Sequence, residues 1–155
     1  MSVRRGKVRE YLGMTLYYTV CDQVNITIFS CIEEILTALE KADPNGKGTK
    51  SSDAPNNIFV VNKECKKMDQ GKVVKFRNLV AKTLYANKSS IPYTCTDIIF
   101  LTIRVQAPDE DDWEKLLYIM QYIRGTRKLS LTLSSNRRGI LKWWVDSLFA
   151  VCPNM

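Results

Sequence analysis

Between Leu12 and Ile28 the apolar residues fall on every second position. Leu12, Met14, Leu16, Tyr18 and Val20 alternate with Gly13, Thr15, Tyr17 and Thr19, and Val24, Ile26 and Ile28 alternate with Asn25 and Thr27. Successive side chains of a strand point to opposite faces, so this alternation predicts half-buried β-strands. Residues 7–29 therefore read as a β-hairpin, with Cys21-Asp22-Gln23 as its turn. The period then lengthens. Ile32, Ile35, Leu36 and Leu39 mark one face of a helix, and Ser30 with Glu33 fits an S-x-x-E capping box at its start. A hairpin that gives way to helices points to an α+β fold rather than to alternating βαβ units.

The stretch KADPNGKGTKSSDAPNN is rich in Pro, Gly, Ser and Asn and reads as a linker. Residues 58–61, IFVV, are a short apolar run that fits either element type. From about Gly71 the pattern is helical, with Val74, Phe76, Leu79, Val80, Thr83 and Leu84 as its stripe. Pro92 interrupts it. Thr94 and Asp97 are placed to cap a second helix bearing Ile98, Leu101, Thr102 and Val105. Pro108 opens a third, in which Asp109 to Asp112 occupy the first turn, where the helix dipole favours negative charge. Trp113, Leu116, Leu117 and Met120 form its apolar face, Arg124 lies in its last turn, and Gly125 is the expected C′ residue. LSLTL (129–133) and ILKWWVD (140–146) read as two strands joined by SSNRRG, a C-terminal β-hairpin. The segments are thus 1–41, hairpin and helix; 42–57, flexible linker; 58–128, helical; and 129–155, strands.

Composition narrows the chemistry. The 155 residues are 45% hydrophobic and carry a net charge of +7, a balance that suits a polyanionic partner or simply a solvated basic surface. No run reaches the roughly 18 apolar residues of a membrane span, and no apolar core follows the basic N-terminus to make a secretory signal. Five cysteines without a C-x-x-C, and the absence of histidine, argue against a zinc site and exclude His-based acid–base or nucleophilic catalysis. The cysteines read as reduced, in an intracellular and not a secreted protein. There is no P-loop, dinucleotide loop, H-E-x-x-H or G-x-S-x-G. The four acids at 109–112 point around their helix rather than converging, which suits capping and not metal binding. A carboxylate-based metal site would need several acids on different elements, and Asp146, at the end of an apolar strand, is a single candidate ligand.

The basic residues are grouped. Residues 63–88 hold eight Lys/Arg against two acids, and residues 124–142 hold Arg124, Arg127, Lys128, Arg137, Arg138 and Lys142 with none. Such groups neutralise phosphates in a salt-dependent way that is largely independent of nucleotide sequence.

In order, the motifs REYLGMT, CIEEIL, FRNLVAKTLY, IRVQAPDEDDWEKLLYIMQYIRGT and LKWWVDSLFAVCP make a set that resembles the C-terminal part of a copia-type LTR retrotransposon polyprotein. The match runs from the end of reverse transcriptase into the first strand of ribonuclease H. The resemblance implies a primer-grip-like hairpin at Tyr11, Leu12, Gly13 and Met14, a thumb- or connection-like helical region at 58–128, and an incomplete ribonuclease H start at 129–155. Trp113, Tyr122, Gly125 and Thr126 are the markers of its tryptophan-anchored helix. Backbone contacts of a template–primer duplex would fall to Lys72, Lys75, Arg77, Arg124, Arg127 and Lys128. Asp146 matches a ribonuclease H carboxylate that would share Mg2+ only in an intact parent enzyme, and no cofactor is expected for this chain by itself. The family's Arg-Pro-Asp is replaced by Ile91-Pro92-Tyr93. The polymerase aspartate pair and the remaining ribonuclease H carboxylates would lie in other parts of the polyprotein. The implied setting is a cytoplasmic particle or the nucleus. The expected partners are RNA–DNA or DNA duplex backbone, the rest of the polyprotein, and a second copy through the C-terminal strand edge, with no membrane. The alternatives are a non-enzymatic basic nucleic-acid-binding module and a helical protein-interaction domain.

Overall fold

The computed structural model describes residues 6–19, 23–44, 58–128 and 130–134. They form an α+β fold, with a four-stranded antiparallel sheet beside a cluster of helices. The strands β1 (Val8–Tyr11), β2 (Met14–Tyr18), β3 (Gln23–Thr27) and β4 (Leu131–Ser134) lie in that order across the sheet.

The predicted first strand is two strands. Leu12 and Gly13 form a tight turn with φ of 49° and 74°, and Tyr11 pairs with Met14 across it. Positive φ at both central residues is the type I′ geometry, whose twist matches that of the flanking strands. Gly13 adopts it freely, whereas Leu12 does so at a cost of about 1–2 kcal/mol. The rest of the alternation is kept. Leu16 faces Ile26 and Tyr18 faces Val24, while Val24 faces Leu133 and Ile26 faces Leu131, so one sheet face is apolar. The other carries Thr15, Asn25 and Thr132, with the Thr132 hydroxyl donating to Asn25 Oδ1 at 2.8 Å. The strands expected at 129–133 are represented by β4, which pairs with β3. The expected linker beyond residue 44, the 140–146 strand and Asp146 lie outside the described residues.

Helix α1 (Phe29–Ala42) begins earlier than the capping-box reading predicts. Its N-cap is Ile28, no side chain caps it, and Ser30 is already inside. Ile28 is fully buried, and burying an isoleucine stabilises by about 1.5–3 kcal/mol against about 1 kcal/mol for a hydroxyl cap. Helix α2 (Gln70–Ser89) is capped by Asp69, whose carboxylate accepts from Lys72 N–H at 3.1 Å. Its buried stripe is Val73, Phe76, Leu79, Val80 and Thr83, with Asn87 below. The stripe predicted through Val74 is one residue out of phase at its start, and Val74 is 54% exposed.

A 3₁₀ turn (Pro92–Thr94) leads into α3 (Cys95–Arg104). Thr94 occupies the N-cap position but does not cap. Its hydroxyl donates instead to Asn87 Oδ1 at 3.0 Å, and Asn87 Nδ2 donates back to Thr94 O at 3.1 Å. Both groups are buried, and an unpaired Asn87 amide would cost more than a missing cap.

Helix α4 (Glu110–Thr126) starts as the acids predict. Asp109 and Asp112 form a reciprocal capping box. Gly125 does not end the helix. Thr126 follows it inside α4, its hydroxyl donating to Tyr122 O at 2.7 Å.

The core is one cluster spanning the helices. Ile32, Ile35 and Leu39 of α1, Phe76 and Val80 of α2, Ile98 and Leu101 of α3, and Leu116, Ile119 and Ile123 of α4 belong to it, joined by Ile58 and Ile91. Met14 of β2 packs against it. The segment before α2 is tied to the start of α4 by Glu110 N–H donating to Lys66 O at 3.0 Å and by a bridge between Lys67 and Asp109. No helix among the described residues is long and apolar enough to cross a membrane.

Candidate nucleic-acid interface

An α-helix turns about 100° per residue, so positions 72, 75, 79 and 82 of α2 lie on one side. That side forms a wall of an open groove of about 1090 Å³ between α1 and α2, lined by Lys72, Lys75 and Lys82 on α2 and by Glu33, Glu34 and Lys41 on α1. Trp113 of α4 also lines it.

The lysines are differently engaged. Lys72 pairs with Glu110 and lies over the Trp113 ring, 4.9 Å from its centroid. Lys82 pairs with Glu34 across the groove at 2.5 Å. The hydrogen bond that the Lys82 ammonium donates to Glu34 holds its pKa above the ordinary value. Lys75 and Lys41 line the groove without an ion pair to a described residue.

Further along, α2 reaches the hairpin tip. Tyr85, three residues beyond Lys82, donates its hydroxyl to Leu12 O. Tyr11 and Leu12 are 63% and 69% exposed. A Cβ on Gly13 would sit 3.6 Å from the Tyr85 oxygen, an ordinary contact, so backbone conformation and not space calls for glycine there. Met14, the next residue, turns inward onto the core.

The structure thus puts Lys72 and Lys75 together on the groove wall, while the Leu12–Gly13 tip lies beside Tyr85, ten residues and about 15 Å along α2 from Lys75. Arg77 is separated from them, about 140° around α2 from Lys72. Its Nε donates to Val105 O at 2.7 Å and its Nη2 to Gln106 O at 3.1 Å, closing the end of α3. Arg124 is half-buried in the last turn of α4, and Arg127 and Lys128 follow it, exposed. Arg124 lies eleven residues, about 16 Å, along α4 from Trp113. Lys82, Tyr85 and Glu34 escaped the sequence reading. Lys82 continues the spacing of Lys72 and Lys75, a signal that becomes visible once the helical phase is known.

Cys31, Cys65 and Cys95 are free thiols. Burial, then the nearby Glu34 charge, raises the Cys31 pKa, which disfavours the nucleophilic thiolate. Among the described residues no group of three or more Cys, Asp or Glu could hold a metal ion, and Asp146 lies outside them. No protein-family model, curated protein or solved structure matches the chain.

Proposed function

We propose that this chain is a thumb- and connection-like part of a copia-type reverse transcriptase that binds nucleic-acid backbone along the lysine face of α2. The parent activity is RNA-directed DNA synthesis with cleavage of the RNA strand of the hybrid, in a cytoplasmic particle or the nucleus. Mg2+ would serve that parent. The chain by itself catalyses neither step. The observation that supports this reading is the single face of α2 shared by Lys72, Lys75 and Lys82. Cations along a helix face attract a phosphate backbone without reading bases.

Titrating an RNA–DNA duplex with the full chain at increasing salt tests the proposal. Binding that weakens linearly on a log–log plot, by about 0.9 per neutralised phosphate, is expected. Absence of binding at the lowest salt rejects it. Primer extension with Mg2+ should not exceed a blank without protein.

A second reading is a protein-interaction domain. The apolar sheet face favours it, because Tyr18 and Leu133 on that face remain 40% and 52% exposed. Self-association, visible as concentration-dependent elution in size-exclusion chromatography, would support it.

A further inference from the structure

The two walls of the groove differ in charge. Lys72, Lys75 and Lys82 line the α2 side, whereas Glu33 and Glu34 line the α1 side. Of the α2 lysines, only Lys82 is held by the opposite wall, through Glu34 at 2.5 Å. Both partners are well exposed, with side chains 45% and 61% accessible. Exposed ion pairs are individually weak and give way to a better-placed charge. The backbone beneath the pair is fixed by α1 and α2, which are also linked where the Cys31 thiol approaches Lys82 O at 3.7 Å. Opening the pair thus requires only side-chain rotation.

Resting on the proposed backbone binding, we propose that Glu34 is a competitor for phosphate. It occupies Lys82 in the free protein and must release it before the groove takes a full backbone contact. Lys75, without an ion pair among the described residues, makes the first contact. Lys82 lies seven residues and about 10 Å further along α2, roughly three phosphate steps of a duplex strand. Glu34 therefore sets a threshold. At higher salt only the Lys75 contact forms, and at lower salt the Lys82 contact is added. The ligand class is a phosphodiester backbone carrying several consecutive phosphates, and an isolated phosphate cannot bridge the two lysines.

The test is a fluorescence-anisotropy titration of a labelled RNA–DNA duplex across a salt series. It compares the intact chain with Glu34→Gln, Glu33→Gln and the double variant Glu34→Gln/Lys82→Gln, with circular dichroism as a check on folding. Glu34→Gln should tighten binding several-fold and, over the higher-salt range where the intact chain uses Lys75 without Lys82, steepen the salt slope by about 0.9, one added phosphate contact. Glu33→Gln lowers the wall's charge equally but frees no lysine, so its slope should match the intact chain's. The double variant should return to the intact chain's slope over that higher-salt range. An unchanged slope in Glu34→Gln, or a steeper one that survives Lys82→Gln, overturns the role of Glu34 while backbone binding stands. Absence of binding by every variant at the lowest salt overturns backbone binding itself.

Discussion

Arg104 Nε lies 3.2 Å from each carboxylate oxygen of Asp112, and its Nη2 lies 2.9 Å from Asp109. The guanidinium at the end of α3 thereby neutralises both members of the α4 capping box. The two aspartate side chains are almost wholly buried, and Arg104 is mostly so. Arg104→Met should destabilise the fold by about 3–5 kcal/mol, because two buried carboxylates lose their counter-charge. Urea denaturation at neutral pH measures this. A loss below about 1 kcal/mol would mean that the capping box is stable without the arginine.

Asp97 is buried without a charged partner among the described residues, and desolvation raises its pKa above 3.8. Desolvation also leads the rise at Asp112. A raised carboxyl pKa means that the folded state holds protons the unfolded state has released. Its contribution is therefore present below the ordinary pKa and is lost as pH rises through the folded one. Asp97→Asn should remove its share of that decline and stabilise the protein at neutral pH. Urea midpoints from about pH 3.5 to about pH 7 read the difference, and parallel curves for the two proteins would count against it.

Lys115 is a cation in the interior. Its ammonium donates to Val60 O at 2.5 Å, pairs with Asp111 at 2.7 Å and lies 5.5 Å from the Phe100 ring centroid. These contacts hold residues 58–61 against α4. Lys115→Met keeps the apolar stem but leaves the Val60 carbonyl unpaired, for an expected loss of about 2 kcal/mol. Amide exchange should accelerate first in residues 58–61, and uniform acceleration would point to a global effect instead.

Leu12 stores strain in a turn that favours Asn-Gly. Leu12→Asn should raise stability by about 1 kcal/mol, while Gly13→Ala should lower it by a similar amount. Thermal melts of the two variants should therefore shift in opposite directions.

Lys75 and Arg77 are two residues apart and have opposite fates. Lys75→Gln should lower the salt slope of duplex binding by about 0.9 with little change in stability. Arg77→Gln should leave the slope alone and destabilise by about 1–2 kcal/mol, through two lost hydrogen bonds to the carbonyls ending α3. Reversed outcomes would move the interface to the other side of α2.

The sequence by itself determined what depends on neighbours a few residues apart. The alternation at Met14–Tyr18, the helical stripe from Phe76 to Thr83 and the acidic start of α4 were legible because each follows from local periodicity or capping. Lys72 and Lys75 were legible as cations for the same reason. Tertiary structure decided the rest. It started α1 at buried Ile28 rather than at a Ser30 cap, and it turned Thr94 from a cap into a partner for Asn87. It made Arg77 a brace for α3 and paired Lys82 with Glu34, 48 residues earlier. It also laid β4 against β3, so that Leu131 faces Ile26. Each of these outcomes weighs a local preference of about 1 kcal/mol against burial or a distant polar partner worth as much or more. The distant partner is visible only when the chain is folded.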